Sequence, residues 1–308
     1  MNGNDVIIEV KDLYYRYPVN KKLSTGNSGF KEALEGVSFS VRRGEKLSVI
    51  GPNGAGKSTL VLNIAGLLEE EYRDGMIFIE GKELNEKNIY DIREKIGFVF
   101  QDPNDQLFSI KVFDDVAFGL VNYLNKKKDR RARDRRYLEK KVKDALKKVN
   151  LKNVEDEFSH FLSFGEKKLV SLATVLSYNP QILILDEPSS NLDPANRANF
   201  IKLIKSMRKT IIIATHDLDM AYEFSDRCII LNEGRVISNG DPERILNGRT
   251  GLLTNPDEVS LSKSIIKILS DEDLRKKLGE SARRYAEKFR WEKSVSLHLR
   301  LYEKLISK

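Results

Sequence analysis

The nine residues Gly51-Pro52-Asn53-Gly54-Ala55-Gly56-Lys57-Ser58-Thr59 constrain this chain more than any other stretch, because they satisfy the phosphate-binding template G-x-x-x-x-G-K-[ST]. A loop that wraps a polyphosphate must turn successive backbone N–H groups inward, and glycine permits that turn and that close approach. Gly51, Gly54 and Gly56 meet the need. The preceding run Leu47-Ser48-Val49-Ile50 reads as a buried strand, and residues 57–68 read as a helix with Leu60, Ile64, Leu67 and Leu68 apolar. Strand, loop and helix in this order set the phosphates of a nucleoside triphosphate on a helix N-terminus. Lys57 is then expected to reach the β and γ phosphates, and the Ser58 hydroxyl to ligate Mg²⁺.

The chain has 308 residues, 40% hydrophobic and 32% charged, enough for one large core with a smaller appendage. Cys228 is the only cysteine and lies in the apolar run Cys228-Ile229-Ile230-Leu231. That excludes a disulfide framework and a cysteine metal cluster, and it fits a reducing compartment. No apolar run approaches the roughly 18 residues of a membrane span, and Met1-Asn2-Gly3-Asn4-Asp5 lacks the basic start of a secretion signal. The expectation is a cytosolic chain that does not itself cross a membrane. Charge is unevenly spread: residues 126–148 hold 13 Lys and Arg against Asp129, Asp134, Glu139 and Asp144, a local +9 in a chain of net +7. Leu138, Val142, Leu146 and Val149 recur beside that run at amphipathic-helix spacing. Three readings are open for it: a solvated helix face, a surface near acidic lipid headgroups, or a nucleic-acid contact.

Residues 6–10 are mostly β-branched and apolar and residues 37–41 alternate with period two, so the first 45 residues read as a small antiparallel sheet. Residues 20–31, rich in Ser, Gly and Asn, read as a surface loop between them. Tyr17, at the end of Tyr14-Tyr15-Arg16-Tyr17-Pro18, can stack on a purine or simply pack. Strands are expected at 76–79 and 96–100, with Gln101 leaving the second within reach of a metal ion or attacking water. Residues 114–161 read as mostly helical, and a further helix carries Leu169, Leu172, Val175 and Leu176. Gln181-Ile182-Leu183-Ile184-Leu185-Asp186-Glu187 is an apolar run closing on two acids, the form of a central parallel strand whose carboxyl end meets an active site. Asp186 can hold Mg²⁺ and Glu187 can orient or deprotonate water. Ile211-Ile212-Ile213-Ala214-Thr215-His216-Asp217 repeats the design, and its His216 is either catalytic or structural.

In this order and spacing the motifs resemble the ATPase subunit of ATP-binding-cassette (ABC) transporters, over residues 6–246. The resemblance makes Tyr17 the A-loop aromatic, residues 51–59 Walker A, Gln101 the Q-loop and Leu162-Ser163-Phe164-Gly165-Glu166 the signature. It likewise makes Ile182 to Asp186 Walker B, Glu187 the catalytic glutamate, Ser190-Asn191-Leu192-Asp193 the D-loop and His216 the switch histidine. It implies an α/β ABC-type P-loop ATPase with a mixed-sheet core, an antiparallel β subdomain and a helical subdomain at about 103–178. Its ligands would be ATP, on Tyr17, Asn53, Gly54, Ala55, Gly56, Lys57, Ser58, Thr59 and Asp193, and Mg²⁺, on Ser58, Gln101 and Asp186. Catalysis would fall to Glu187, His216, Gln101 and Lys57. A second ABC ATPase subunit would pair head to tail, so that Ser163 and Gly165 of one chain meet the nucleotide of the other. The signature departs from its LSGGQ pattern at Phe164 and Glu166.

Gln101-Asp102-Pro103-Asn104-Asp105-Gln106-Leu107-Phe108, followed by Asp114-Asp115-Val116-Ala117-Phe118-Gly119, resembles the energy-coupling-factor and cobalt-importer ATPases. Those imply a peripheral subunit at the cytoplasmic face of the cell membrane, bound to a transmembrane T component and a substrate-binding S component rather than to nucleic acid. The cargo would be a vitamin or a transition-metal ion such as cobalt or nickel. A soluble ABC ATPase outside transport is the competing reading. A chromosome-maintenance ATPase would need a long coiled coil between Ser58 and Ser163, and only 104 residues lie there.

Residues 247–308 read differently. Thr250-Gly251-Leu252-Leu253-Thr254-Asn255-Pro256-Asp257, Leu269 to Gly279 and Phe289-Arg290-Trp291-Glu292 resemble the C-terminal end of two-Rossmann-domain glycosyltransferases, which raises the reading of a glycosyltransferase-related fusion. No sugar-nucleotide site accompanies the resemblance, so no transferase activity is assigned. The spacing predicts three amphipathic helices, at 261–269, 273–289 and 291–306, forming a small all-α tail.

Overall fold

A computed structural model describes residues 5–18, 29–246 and 258–286. The chain divides into two compact units, Met1–Asn239 and Gly240–Lys308, a few residues before the boundary that the motifs place after Leu246. The first unit opens with β1 (Val6–Pro18), β2 (Phe30–Arg42), β3 (Lys46–Ile50) and α1 (Lys57–Ile64). It continues through β4 (Arg73–Ile79), β5 (Lys82–Glu83), α2 (Ile89–Arg93), β6 (Ile96–Val99), α3 (Val112–Lys126), α4 (Arg135–Lys148) and α5 (Phe164–Leu176). It closes with β7 (Ile182–Asp186), α6 (Pro194–Ser206), β8 (Thr210–Thr215), α7 (Leu218–Phe224), β9 (Arg227–Asn232) and β10 (Arg235–Gly240).

Two sheets result. The antiparallel one runs β2-β1-β4-β5 and the larger runs β10-β9-β3-β8-β7-β6, in which β9, β3, β8, β7 and β6 are parallel to one another. The continuous apolar runs of β7 and β8 follow from burial on both faces. Ile182, Ile184, Ile212 and Ala214 face a core shared with β1, β2, β4 and α1. Leu183, Leu185, Ile211 and Ile213 face a second core built with α3, α4, α5 and α6. The expected mixed-sheet core, antiparallel subdomain and helical layer are all present.

Some boundaries moved. α1 ends at Ile64 rather than at residue 68, because Gly66 takes φ +66° and its N–H, with that of Leu67, turns back to Asn63 O and Leu62 O at 2.9 Å. β2 already begins at Phe30, so the expected loop at 20–31 gives way to strand pairing with β1 at Lys31 and Phe30; residues 20–28 of that expected loop lie outside the described residues. The basic run is split between the end of α3, a short 3₁₀ turn and α4, whose first turn is capped by the Asp134 carboxylate accepting from Tyr137 N at 3.2 Å. Leu138, Val142, Leu146 and Val149 are all buried. Each contributes about 1.5–3 kcal/mol by burial, whereas an exposed pair such as Arg135–Glu139 at 2.8 Å contributes under about 1 kcal/mol. Apolar packing therefore sets the helix, and the charges are its solvated face.

The second unit holds α8 (Pro242–Leu246), α9 (Glu258–Ser270) and α10 (Glu272–Ala286). Two of the three tail helices expected from spacing are there, with Leu278 buried and Ile265, Ile266 and Leu269 exposed. The third, at 291–306, lies outside the described residues.

Candidate active site

The site follows from the order of the parallel strands. β3 and β7 flank β8, and Ile50 pairs with Thr215 while Asp186 pairs with Ala214. The segments that leave the carboxyl ends of these strands, and of β6 beside β7, therefore emerge along one edge. They carry the phosphate loop, Glu187, His216 and Gln101. Tyr17, Asn53, Gly54, Gly56, Lys57, Ser58, Thr59, Gln101, Glu187 and His216 line one cleft of about 500 Å³, a size within the range of small-ligand pockets.

Gly56 has φ +98°, and a Cβ there would stand 2.5 Å from Ala33 O. The sequence argument assigned this glycine to the phosphates; the close approach of β2 is a second reason for it. Lys57 Nζ donates to Gly51 O at 2.9 Å and Pro52 O at 3.2 Å and lies 3.4 Å from Glu187 Oε1. Ser58 Oγ donates to Asp186 Oδ1 at 3.1 Å. Burial pushes the Asp186 carboxyl upward, with the neighbouring Glu187 charge adding to it and Ser58 and Lys57 opposing. Tyr17 Oη and Thr59 Oγ1 are 3.2 Å apart, and Tyr15 braces the Tyr17 ring edge-on at 5.0 Å.

Glu187 is the most constrained residue of the cleft. It is buried, its Oε2 accepts from Thr215 Oγ1 at 3.1 Å, and its Oε1 lies 3.0 Å from His216 Nδ1. Its backbone sits at φ +42°, where a residue with a Cβ costs about 1–3 kcal/mol. The N–H donated to Ala214 O at 2.8 Å helps hold that turn. The His216 ring is 59% exposed, which leaves its far side facing the cleft opening rather than a protein core.

Five expected site residues do not line the cleft, and one of them is Asp186, which is buried and bonded to the lining residue Ser58. Ala55 is buried and its N–H donates to Pro52 O at 3.2 Å. Ser163 caps α5: its hydroxyl donates to Glu166 Oε2 at 2.6 Å and accepts from Glu166 N at 3.3 Å. The bonds that the Ser163 hydroxyl and the Ser163 backbone N–H donate to Glu166 Oε2 hold this carboxyl below its usual range. Gly165 lines a separate hollow of about 320 Å³ with Leu169, Leu192 and Phe200. Asp193 caps α6, accepting from Ala195 N and Asn196 N at 3.0 Å. Ser163 to Glu166 is thus a capping box, which the spacing S-x-x-E signals on its own.

Sequence reasoning missed several residues. Lys31, Glu32 and Ala33 form a wall of the cleft, and no motif marks them. Arg197 on α6 donates through Nε and Nη2 to both oxygens of Asp217 at 2.7 and 2.9 Å, and Ser189 Oγ donates to the same carboxylate at 3.2 Å. Asp217, next to His216, in turn caps α7 through Met220 N at 2.9 Å. Burial alone would raise the Asp217 carboxyl, but Arg197 and the capped N–H outweigh it and hold the group low.

A phosphate loop after β3, paired acids after β7 and a histidine after β8 define a P-loop ATPase of the ATP-binding-cassette type. The ABC transporter family profile matches residues 34–190. The energy-coupling factor transporter ATP-binding protein EcfA of Carboxydothermus hydrogenoformans is 39% identical over 278 residues, covering 89% of this chain and 93% of its own. EcfA of Methanocaldococcus jannaschii is 37% identical over 246 residues, covering 78% and 81%. Among solved structures, cbiO1 of Clostridium perfringens, part of the ABC transporter complex cbiONQ, matches with TM-score 0.66 and 36% identity over 85% of this chain and 95% of that one. A dimeric ATP-binding cassette in a post-hydrolysis state bound to ADP and Pi matches with TM-score 0.66 and 27% identity over 77% and 99%. The chain belongs to the ABC transporter family and is an ATPase of the energy-coupling-factor type.

Proposed function

We propose that this chain drives import through an energy-coupling-factor transporter of a vitamin or of a transition-metal ion such as cobalt or nickel, working at the cytoplasmic face of the membrane. The observation that carries the reading is the convergence of Lys57, Ser58, Gln101, Glu187 and His216 on one cleft in a chain similar to EcfA over most of its length. No helix among the described residues is long and apolar enough to cross a membrane, so a separate transmembrane T component and a substrate-binding S component would provide the path and the selectivity. Neither a soluble ATPase outside transport nor a glycosyltransferase fusion draws support from these relatives. Residues 247–308 are read as a helical extension that resembles a glycosyltransferase end without its activity.

ATP binding falls to Tyr17 for the base, to Lys57 and the backbone of 53–59 for the phosphates, to Asp193 of the D-loop, and, from a second subunit, to Ser163 and Gly165. Ser163 can turn its hydroxyl to a γ-phosphate only by releasing Glu166. Among the described residues no cluster of three or more His, Cys, Asp or Glu side chains holds a metal alone. Ser58, Asp186 and Gln101 would instead hold a cation through oxygen donors, a chemistry that suits Mg²⁺, and the buried Asp186 carboxyl calls for a cation. When bound, Mg²⁺ would neutralise charge on the β and γ phosphates. Glu187 accepts the proton of the attacking water and His216 orients that carboxylate, with Gln101 and Lys57 fixing water and phosphate.

Purifying the chain from its native membrane with its partners, then measuring ATP-dependent uptake of candidate cargoes into proteoliposomes, tests the proposal. Copurification of a T-type membrane protein is expected; isolation with cytosolic partners alone would contradict it.

A further inference from the structure

Lys168, on α5 one turn behind the signature, carries an ammonium with no part in the site so far. Among the described residues it is one of the largest fully buried side chains, at 1% exposure. Its Nζ donates to Gln101 O at 2.7 Å, to Glu187 O at 3.2 Å and to Ser190 Oγ at 3.4 Å. An ammonium has three donors, and here each meets an acceptor: one in the turn after β6 and two in the single turn that Glu187 to Ser190 makes after β7. The ring of Phe164, one helical turn back, lies 5.7 Å from the same nitrogen. The signature's departure from glycine at 164 therefore brings a π face to this cation.

Burying a cation is unfavourable, and an apolar side chain of similar volume would pack here at lower cost. Burial indeed pushes the Lys168 amine down to about 8, against the pull of Asp102, Asp186 and Glu187. What the ammonium holds is the peptide of Glu187 in its left-handed turn, whose carbonyl also accepts from Ser190 Oγ at 2.8 Å.

We propose that Lys168 is a positioning residue for ATP hydrolysis: one ammonium ties the backbones of Gln101 and Glu187 together, so that the two side chains keep a common frame in the cleft. It rides on the helix that Ser163 caps, and so it also links that frame to the signature segment. The inference rests on the roles given above to Gln101 and Glu187. It adds a residue that does not line the cleft.

The test compares Lys168→Met, Lys168→Gln and Lys168→Arg in the full chain, with Glu187→Gln beside them. Misplacing a catalytic group by a fraction of an ångström to an ångström predicts a kcat fall of about 10- to 100-fold in the two neutral variants, with the KM for ATP and the affinity for a non-hydrolysable ATP analogue little changed. Lys168→Arg, which keeps charge and donors, should recover most of the kcat. A folded neutral variant with unaltered kcat, or one whose loss lies in KM, overturns the proposal. Failure of both neutral variants to fold beside a folded Lys168→Arg assigns the ammonium to fold stability and also overturns it. If Glu187→Gln hydrolyses ATP at the unmodified rate, the reading of Glu187 fails instead, and the two failures are thereby distinguished.

Discussion

Ser58, on the wall of the cleft, and the buried Asp186, 128 residues apart in sequence, meet through a 3.1 Å hydrogen bond from Ser58 Oγ to Asp186 Oδ1. The contact joins the helix that follows the phosphate loop to the strand that carries the paired acids. Parallel pairing of β3 and β7 on either side of β8 is what brings them there.

Lys57 is the cation of the phosphate loop. If it meets the β and γ phosphates as proposed, replacing it with alanine would remove two charge-assisted contacts, each about 1.5–3 kcal/mol. At roughly tenfold per 1.4 kcal/mol, ATP affinity should drop by about 100-fold or more. Titration with a fluorescent ATP analogue measures this, and undiminished affinity would refute the assignment.

Gly56→Ala should destabilise the first unit even without nucleotide. Its Cβ would stand 2.5 Å from Ala33 O on a backbone at φ +98°, which predicts a loss of at least about 1 kcal/mol. A urea midpoint equal to that of the unmodified chain would show that β2 yields at no cost.

Much of this arrangement was legible because the chemistry dictates residue types. A phosphate loop needs its glycines and lysine, and central parallel strands need apolar runs such as 182–185 that end on functional side chains. What escaped was set by packing in three dimensions. Lys31 to Ala33 reach the cleft only because β2 crosses Gly56, and the Arg197–Asp217 pair depends on how α6 lies beside α7. Lys168 carries no mark in the sequence, since nothing in a local window says that a lysine will be buried. Glu166 appeared only as a departure from glutamine, although its spacing from Ser163 already spelled a capping box. The end of α1 was overshot because Gly66 lies inside a run that stays apolar beyond it.

The Arg197–Asp217 pair predicts an acid-side effect. The Asp217 carboxyl is held below its usual value of 3.8, so it binds fewer protons folded than unfolded. Its stabilising contribution is full above that value and is lost as pH falls through the lower folded-state value. Arg197→Met should lower stability at pH 7 and narrow the difference from the unmodified chain as pH approaches 3. Thermal melts of both proteins across that range provide the check, and a gap that is constant with pH would exclude the linkage.

All residues of the cleft lie within the first unit, Met1–Asn239. A chain ending at Leu246 should therefore retain ATP hydrolysis within about twofold, well under the roughly tenfold change that 1.4 kcal/mol would bring. A folded but inactive truncation would give the helical extension a share in the reaction.

Glu187 as the base is the centre of the account, and Glu187→Gln tests it most directly. The amide can still hydrogen-bond water and His216 but cannot take the proton, so ATP should bind with near-normal affinity while hydrolysis falls by about 100-fold or more. Light scattering run on the same sample should then show a dimer that forms with ATP and persists. Turnover at the unmodified rate, with no ATP-stabilised dimer, would contradict the assignment.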